Sequence, residues 1–89
     1  EALDWGLVNK VVAPAEVLSE AQSIARHIAA GPTTAYGGVK RLLDTAFSDG
    51  LETQLDRETR SIADAMRTSD GPAGIASFIA KQTPTFTGK

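Results

Sequence analysis

The 89-residue sequence contains no cysteine, which excludes a disulfide framework and any metal site that depends on thiolate ligands. Aromatic side chains are also scarce, since the chain has one tryptophan, one tyrosine and three phenylalanines. A chain of this length buries little more than about 60% of the surface that its unfolded form exposes. We therefore expect a thin core and apolar faces that need a partner surface.

An excess of basic residues and a long apolar run are both absent. The 9 basic and 11 acidic residues are interspersed and give a net charge of −2, unlike the basic surface of a nucleic-acid-binding protein. No apolar segment approaches the about 20 residues of a membrane span. The N-terminus also lacks the charged and apolar regions of a signal peptide. We expect a cytoplasmic protein that binds neither nucleic acid nor membrane.

The sequence does contain apolar residues at helical spacing. The first apolar stripe begins after Pro14, a residue suited to the first turn of a helix, and ends before Gly31, which we expect to be a left-handed cap. Turn residues interrupt the pattern again around Gly50 and Gly71. These breaks predict an all-α chain of about four helices, followed by an extended tail, with the helices at residues 14–30, 32–46, 51–67 and 72–82.

One short strand is predicted at residues 7–12, where the sequence is apolar and rich in β-branched side chains. Residues 1–6 resemble the last turn of a helix that is closed near Gly6. No second strand is predicted in this chain, so the strand needs a pairing partner elsewhere or in another copy.

Catalytic side chains are nearly absent. His27 is the single histidine, and a helical histidine without an orienting partner is typical of a surface residue and not of a general base. Glu52 and Asp56 lie one helical turn apart, but charges on a solvated helix explain them better than paired catalytic carboxylates. Glu58 interrupts the apolar side of the same helix, as a buried or interface carboxylate would. We assign no catalytic residue and no metal site.

The glycine-rich stretch at residues 31–40 is not a phosphate-binding loop. It lacks a Gly-Lys-Ser/Thr sequence, and its glycines lie inside a helical pattern. Gly37 and Gly38 each destabilise a helix interior by about 1 kcal/mol relative to alanine. Two adjacent glycines therefore predict either a close helix crossing or a local irregularity in the second helix.

The strongest site candidates are Phe78 and Lys81, which are three residues apart and would lie on one side of the last helix. In one interpretation Phe78 packs with Ile75 and Ile79 while Lys81 extends into water. In the other, the ring stacks on an adenine and the ammonium binds a phosphate or a ring nitrogen. The side chains alone leave both interpretations open.

Three stretches of the sequence carry a further signal. Residues 2–12 read ALDWGLVNKVV, residues 31–43 read GPTTAYGGVKRLL, and residues 70–88 read DGPAGIASFIAKQTPTFTG. In this order they resemble the C-terminal part of the enoyl-CoA hydratase/isomerase (crotonase) superfamily, whose ending runs D-x-x-E-G-[IV]-x-A-F-x-x-K-[RQ]-x-P-x-F-x-G. The chain departs from that ending at Pro72-Ala73, where the family has a glutamate, and at Gln82, where arginine is frequent.

The resemblance implies that the chain is the C-terminal part of a spiral β/α enzyme. Residues 1–31 would end its core, and residues 32–89 would form a helical oligomerisation region with an extended tail. The family acts on acyl-CoA thioesters, holding the thioester oxygen with two backbone N–H groups and moving protons with carboxylates. Those groups would lie upstream, so no catalytic residue is carried over. Coenzyme A is part of the substrate, and no separate cofactor is implied.

The family also implies a homo-oligomer, a trimer or a dimer of trimers, in which a terminal F-x-x-K motif contacts the adenine of coenzyme A in a neighbouring subunit. That motif falls on Phe78 and Lys81. We therefore expect the C-terminal region of an enoyl-CoA hydratase/isomerase, which supplies oligomer contacts and an edge of the coenzyme A site. The 89-residue fragment itself should self-associate and be inactive. The alternative is a freestanding helical module for self-association or protein interaction, without enzymatic activity.

Overall fold

A computed structural model describes residues 1–89 and confirms that the chain is built from four helices. A short 3-10 turn, Pro14–Glu16, leads directly into α1 (Val17–Ala29), and α2 (Thr33–Thr45), α3 (Leu51–Met66) and α4 (Asp70–Ile79) follow. The helices lie close to their predicted positions, but α4 stops before the predicted Gln82. None of them combines the length and the apolar character that would let it span a bilayer.

The predicted strand at residues 7–12 is wrong, because this segment has no regular secondary structure. A strand is stabilised by hydrogen bonds to a neighbouring strand, and no other part of this chain offers one. The segment instead lies along α1, with Val8 and Val11 beside Val17. An ion pair of 2.6 Å between Lys10 Nζ and Glu20 Oε1 joins the segment to the helix.

The predicted closure of a helical turn near Gly6 is confirmed. Gly6 has a φ of 73°, in the left-handed region that glycine adopts without strain. The N–H groups of Gly6 and Leu7 donate to the carbonyls of Leu3 and Ala2, at 3.0 and 2.9 Å. This pair of hydrogen bonds is the Schellman motif, which satisfies the free carbonyls at the end of a helical turn.

Gly31, in contrast, is not the left-handed cap that the sequence predicts, since its φ is not positive. Helix α1 already ends through Ala30, whose N–H donates to the carbonyl of Arg26 at 3.0 Å. Glycine at residue 31 has a different effect: it leaves space for the Tyr36 ring, whose hydroxyl group a Cβ atom would overlap unless that side chain moved. This glycine thus accommodates a side chain five residues ahead and does not end the helix.

Helices α2 and α3 cross closely at Gly38, which is the first of the two alternatives predicted for the paired glycines. Gly38 is buried, and a Cβ atom on it would lie 2.7 Å from Ser61 Oγ. Gln54 strengthens the crossing, because its Nε2 donates to the carbonyl of Leu42 at 3.3 Å. Gly71 plays the same role between α3 and α4, since a Cβ atom there would overlap the carbonyl oxygen of Ala65.

The chain has no apolar core of its own. Only 2 of its 89 residues are buried, and no hydrophobic side chain is among them. Large apolar side chains on every helix are half or more exposed, including Leu18, Val39, Leu55 and Ile79. Since burial of apolar surface is the main favourable term in folding, these faces are stable only when other surfaces cover them.

Two glycine substitutions should have opposite effects on stability. Gly71→Ala should lower the free energy of unfolding by about 1–3 kcal/mol, because the new methyl group meets a backbone carbonyl that cannot rotate away. Gly37→Ala should raise it by about 0.5–1 kcal/mol, since alanine favours the helix interior and the Cβ atom meets only Arg41 Nη1, at 3.5 Å.

Urea unfolding at one fixed protein concentration measures both variants, because self-association would make stability depend on concentration. A Gly71→Ala variant as stable as the unmodified chain would show that α4 does not approach α3 as closely as the structure describes.

Candidate functional site

The candidate site lies at the C-terminal end of α4. Phe78 occupies the last turn of this helix and is 83% exposed. Its apolar neighbours Ile75 and Ile79 are 49% and 75% exposed, so the three side chains do not form a closed apolar cluster within the chain. The ring of Phe78 therefore presents an aromatic surface to whatever approaches this end of the helix.

Lys81 does not lie on α4 but in the cap that ends it. Its φ is 55°, and it is the one residue other than glycine with a positive φ. The N–H of Lys81 donates to the carbonyl of Phe78 at 3.1 Å, and the N–H of Gln82 donates to that of Ser77 at 2.9 Å. These are the two bonds of a Schellman motif, whose left-handed position is usually glycine.

A lysine in the left-handed conformation is strained, because its Cβ atom lies too close to the following carbonyl oxygen. This conformation is less favourable by about 1–2 kcal/mol. Lys81 also takes part in none of the ion pairs within 4.0 Å, namely those of Asp4, Glu20, Asp49, Asp56 and Asp64. A strained backbone therefore carries an exposed, uncompensated cation three residues from an exposed ring.

Beyond Lys81, the chain folds back as an irregular segment, the tail (residues 82–89). The tail returns to the N-terminal end of α4, where the carboxylate of Asp70 accepts three hydrogen bonds. Thr87 N–H and Thr87 Oγ1 donate to Asp70 Oδ1 at 2.8 and 3.0 Å, and Gly88 N–H donates to Asp70 Oδ2 at 2.8 Å. Asp70 is 5% exposed, and it is the buried charged residue of the chain.

Further contacts hold the end of the tail between α2 and α4. Ser69 Oγ and the N–H of Asp70 donate to the carbonyl oxygen of Lys89, at 2.7 and 3.2 Å. Thr34 Oγ1, in the first turn of α2, donates to the carbonyl of Gly88 at 3.2 Å. Gly88 has a φ of 76°, and a Cβ atom on it would lie 2.9 Å from Thr33 Oγ1.

Phe86 is the apolar anchor of the tail. Its ring lies 3.2 Å from the position that a Cβ atom on Gly74 would occupy, so glycine lets the ring approach the backbone of α4. The ring borders an apolar cavity of about 210 Å³ between α2, α3 and α4, which Pro32, Ala35 and Ile75 also line. The Phe86 ring thus adds an apolar contact to the hydrogen bonds that hold the tail.

The environment of Asp70 favours its charged form. The N–H of Thr87 is the main cause that holds the pKa of Asp70 below its ordinary value of 3.8. Burial opposes this by raising the pKa, whereas the N–H of Gly88 and the hydroxyl of Thr87 lower it further. Hydrogen bonds to the carboxylate therefore outweigh its desolvation.

The other sequence candidates do not form a site. His27 is exposed on the last turn of α1, and Asp56 pairs with Arg60 at 3.0 Å along the surface of α3. Glu58 is exposed and accepts a hydrogen bond of 3.4 Å from Gln54 Nε2. No group of three or more His, Cys, Asp or Glu side chains could hold a metal ion.

The sequence did not predict the contact between Asp70 and the tail. Residues 68–72 were interpreted as a helix breaker that supplies a cap for α4, and Thr68 Oγ1 does accept the N–H of Gly71 at 3.1 Å in the first turn, although Ser69 at the N-cap position makes no such bond. The sequence signal for the contact with the tail was the Thr-Gly pair at residues 87–88. Those residues supply the donors for the carboxylate, but they lie 17 and 18 positions away.

Comparison with known proteins places this arrangement in a family. The enoyl-CoA hydratase/isomerase family matches residues 1–89. The chain is 38% identical over 89 residues to 1,2-epoxyphenylacetyl-CoA isomerase of Escherichia coli (strain K12), covering all of this chain and 34% of that protein. It is 37% identical over 93 residues to crotonyl-CoA hydratase of Syntrophomonas wolfei, again covering all of this chain and 34% of that protein.

A solved structure agrees with the sequence comparisons. A protein from Mycobacterium abscessus, described as an enoyl-CoA hydratase/isomerase, superimposes with a TM-score of 0.93 at 35% sequence identity. The superposition covers 99% of this chain and 34% of that one. The chain thus spans about a third of the length of the relatives it matches, and its four helices are a helical portion of their fold.

The Asp70 contact should make stability depend on pH in a defined direction. Because the folded pKa lies below 3.8, the contribution of Asp70 is fully present above that value and is lost as the pH falls through the folded pKa. Asp70→Asn should therefore lower the melting temperature at pH 7, and the difference from the unmodified protein should shrink below about pH 4.

Thermal unfolding across this pH range measures the difference between the two proteins. Asp64→Asn is the matched control, because Asp64 is exposed and pairs with Arg67 on the surface of α3. Its difference from the unmodified protein should be small at every pH. If the difference in melting temperature between Asp70→Asn and the unmodified protein stays constant as the pH falls below about 4, the carboxylate does not have the assigned role.

Proposed function

This chain belongs to the enoyl-CoA hydratase/isomerase family, and we propose that it is the C-terminal region of a longer enzyme that acts on acyl-CoA thioesters. The observation that carries this proposal is the extent of the match. All 89 residues align with relatives of which they cover 34%. In this proposal residues 1–31 end the core of the enzyme, and residues 32–89 form its helical oligomerisation region.

The names of the relatives support the proposal that this region serves the coenzyme A part of the substrate. One relative is an isomerase of an epoxyphenylacetyl-CoA and the other a hydratase of crotonyl-CoA, so their reactions and acyl groups differ while coenzyme A is common. A region that is similar in both relatives is expected to contact coenzyme A, the part of the substrate that they share. We therefore propose a coenzyme A contact for this chain, with catalysis supplied upstream and no cofactor beyond the coenzyme A of the substrate.

The proposed contact consists of Phe78 and Lys81. An exposed aromatic ring can stack on the planar adenine, and an ammonium group can bind a phosphate or a ring nitrogen. The strain at Lys81 supports a functional role, because strained non-glycine residues occur mainly where function requires the side chain. A glycine would satisfy the cap without strain, but it would supply no cation. The bound coenzyme A would belong to a neighbouring subunit.

The exposed apolar faces support a second role in oligomer contacts. A homo-oligomer, a trimer or a dimer of trimers, would cover side chains such as Val39 and Leu55, which the chain leaves 53% and 52% exposed. A cytoplasmic enzyme without membrane or nucleic-acid partners belongs to the same proposal. The alternative of a freestanding interaction module is weaker, because the family match extends over the whole chain.

The first test separates the chain from the longer enzyme. The purified 89-residue chain should show no hydration or isomerisation of enoyl-CoA substrates such as crotonyl-CoA, whereas the enzyme that contains it should turn over its substrate. Size-exclusion chromatography of the chain should show an oligomer, since its apolar faces lack cover. Turnover by the chain alone would contradict the proposal that catalysis is supplied upstream. A stable monomer at high concentration would contradict the proposed oligomer contacts.

The second test concerns the coenzyme A contact in the full-length enzyme. Phe78→Ala and Lys81→Ala should each weaken coenzyme A binding by about 1 kcal/mol, close to fivefold in Kd, because they remove a stacking surface and a cation. Lys81→Gly should weaken binding equally but raise stability by about 1 kcal/mol, since it relieves the left-handed strain.

Isothermal titration with coenzyme A measures these affinities. Lys40→Ala is the matched control, because Lys40 is an exposed lysine on another helix, α2. Its affinity should equal that of the unmodified enzyme. If the Phe78 and Lys81 variants also keep that affinity, these residues do not form the coenzyme A contact.

A further inference from the structure

We infer that Asp70 is a positioning residue: it fastens the tail along α4 and, through the tail, holds Phe78 and Lys81 in place. The inference rests on the proposed coenzyme A contact for those two residues. Asp70 lies at the opposite end of the helix and would touch neither the adenine nor the reacting atoms. Its effect on coenzyme A binding would be indirect.

The first step is that α4 is weakly held over its C-terminal half. Its close approach to α3 occurs at Gly71, in the first turn, where a Cβ atom would overlap the carbonyl oxygen of Ala65. The apolar side chains of the last turns, Phe78 and Ile79, are 83% and 75% exposed. Packing within the chain therefore fixes the beginning of α4 and leaves its end to other restraints.

The second step is that the tail supplies such a restraint. It leaves α4 at Lys81 and returns to Asp70, so it spans the helix from its last residue to its first. Phe86 contacts the helix at Gly74, between the two ends. The tail also touches α2 through Thr34. It therefore runs from the C-terminal end of α4 to a point where both the beginning of α4 and α2 hold it.

The third step is that the carboxylate of Asp70 is specifically required. Two of its hydrogen bonds come from the consecutive N–H groups of Thr87 and Gly88, which converge on an anion as in a backbone nest. No basic side chain pairs with Asp70 within 4.0 Å. An asparagine would offer one acceptor and one donor group, so one of the two N–H groups would lose its partner.

The fourth step connects the tail to Lys81. The left-handed conformation of Lys81 is followed at once by the tail, and the Gln82 N–H bond to the carbonyl of Ser77 depends on both. When the tail is released, a lysine can relax towards the conformations that L-residues prefer. The cap at the end of α4 then opens, and the spatial relation between Phe78 and Lys81 is lost.

The experiment compares full-length Asp70→Asn with Asp64→Asn, an exposed carboxylate on α3 that serves as the control. Hydrogen exchange of the peptide that contains the tail should become at least about tenfold faster in Asp70→Asn, because one of the amides of Thr87 and Gly88 loses its acceptor and the tail is held less firmly. Coenzyme A affinity should fall about threefold or more, with KM raised and kcat at saturation unchanged. Asp64→Asn should match the unmodified enzyme in each measurement.

A second variant reaches the same contact from the other side. Gly88→Ala keeps the charge of Asp70, but it strains the positive φ and places a methyl group 2.9 Å from Thr33 Oγ1. It should reproduce the faster exchange of the tail and the weaker binding. It also keeps the inference testable if Asp70→Asn fails to fold.

The outcomes separate this inference from the proposed function. Faster exchange of the tail with unchanged coenzyme A affinity, while Phe78→Ala binds more weakly, would overturn the positioning role and leave the coenzyme A contact intact. Unchanged exchange in both tail variants would overturn the role of Asp70 as the fastening group. If Phe78→Ala and Lys81→Ala themselves bind normally, the proposed contact fails and the positioning role fails with it.

Discussion

The carboxylate of Asp70 and the backbone N–H groups of Thr87 and Gly88 form the interaction on which the rest of the structure depends. Burying a charged group is unfavourable unless hydrogen bonds compensate for the lost water. Here three donors do so, and all of them come from the tail. The contact thus holds the tail, and the Phe86 ring that it carries, on the helices together with the bonds to the carbonyls of Gly88 and Lys89. In a chain without a buried apolar side chain, a polar contact takes the place that a core usually has in bringing distant segments together.

Close approach of backbones is the second means by which this chain is held together. At Gly38 and Gly71 the absence of a side chain lets α2, α3 and α4 approach until a single methyl group would clash. Such crossings fix the geometry of the helices but bury little apolar surface, so they define a shape more than they stabilise it. The remaining stabilisation comes from the surfaces that cover the exposed faces. For a chain that spans a third of the length of its relatives, the natural sources are the upstream region and the neighbouring subunits of the proposed enzyme.

The sequence predicted those features that depend on neighbouring residues and missed those that depend on distant ones. Helical periodicity is local, so four helices and the Gly6 closure were predicted correctly. Strand pairing is not local, and residues 7–12 had the composition of a strand but no partner. Gly31 looked like a cap, yet it accommodates the ring of Tyr36. The left-handed Lys81 lacked the glycine that normally indicates such a position, and the role of Asp70 depended on donors near the end of the chain. The spacing of Phe78 and Lys81 made them candidates, but only the family motif favoured a binding role over an exposed ring and a solvated lysine.

The two ends of α4 therefore have opposite physical characters. At the N-terminal end, a buried carboxylate accepts three hydrogen bonds from the tail, and this geometry favours stability. At the C-terminal end, an exposed ring stands beside a lysine in a conformation that glycine would adopt without strain, and this geometry does not favour the stability of the chain alone. Strain of this kind persists only where the surrounding structure enforces it. The tail joins the two ends, and in the inference drawn above the stable contact at Asp70 enforces the strained conformation at Lys81. Such a coupling would let a helix with few buried contacts present two side chains in a fixed relation at its exposed end.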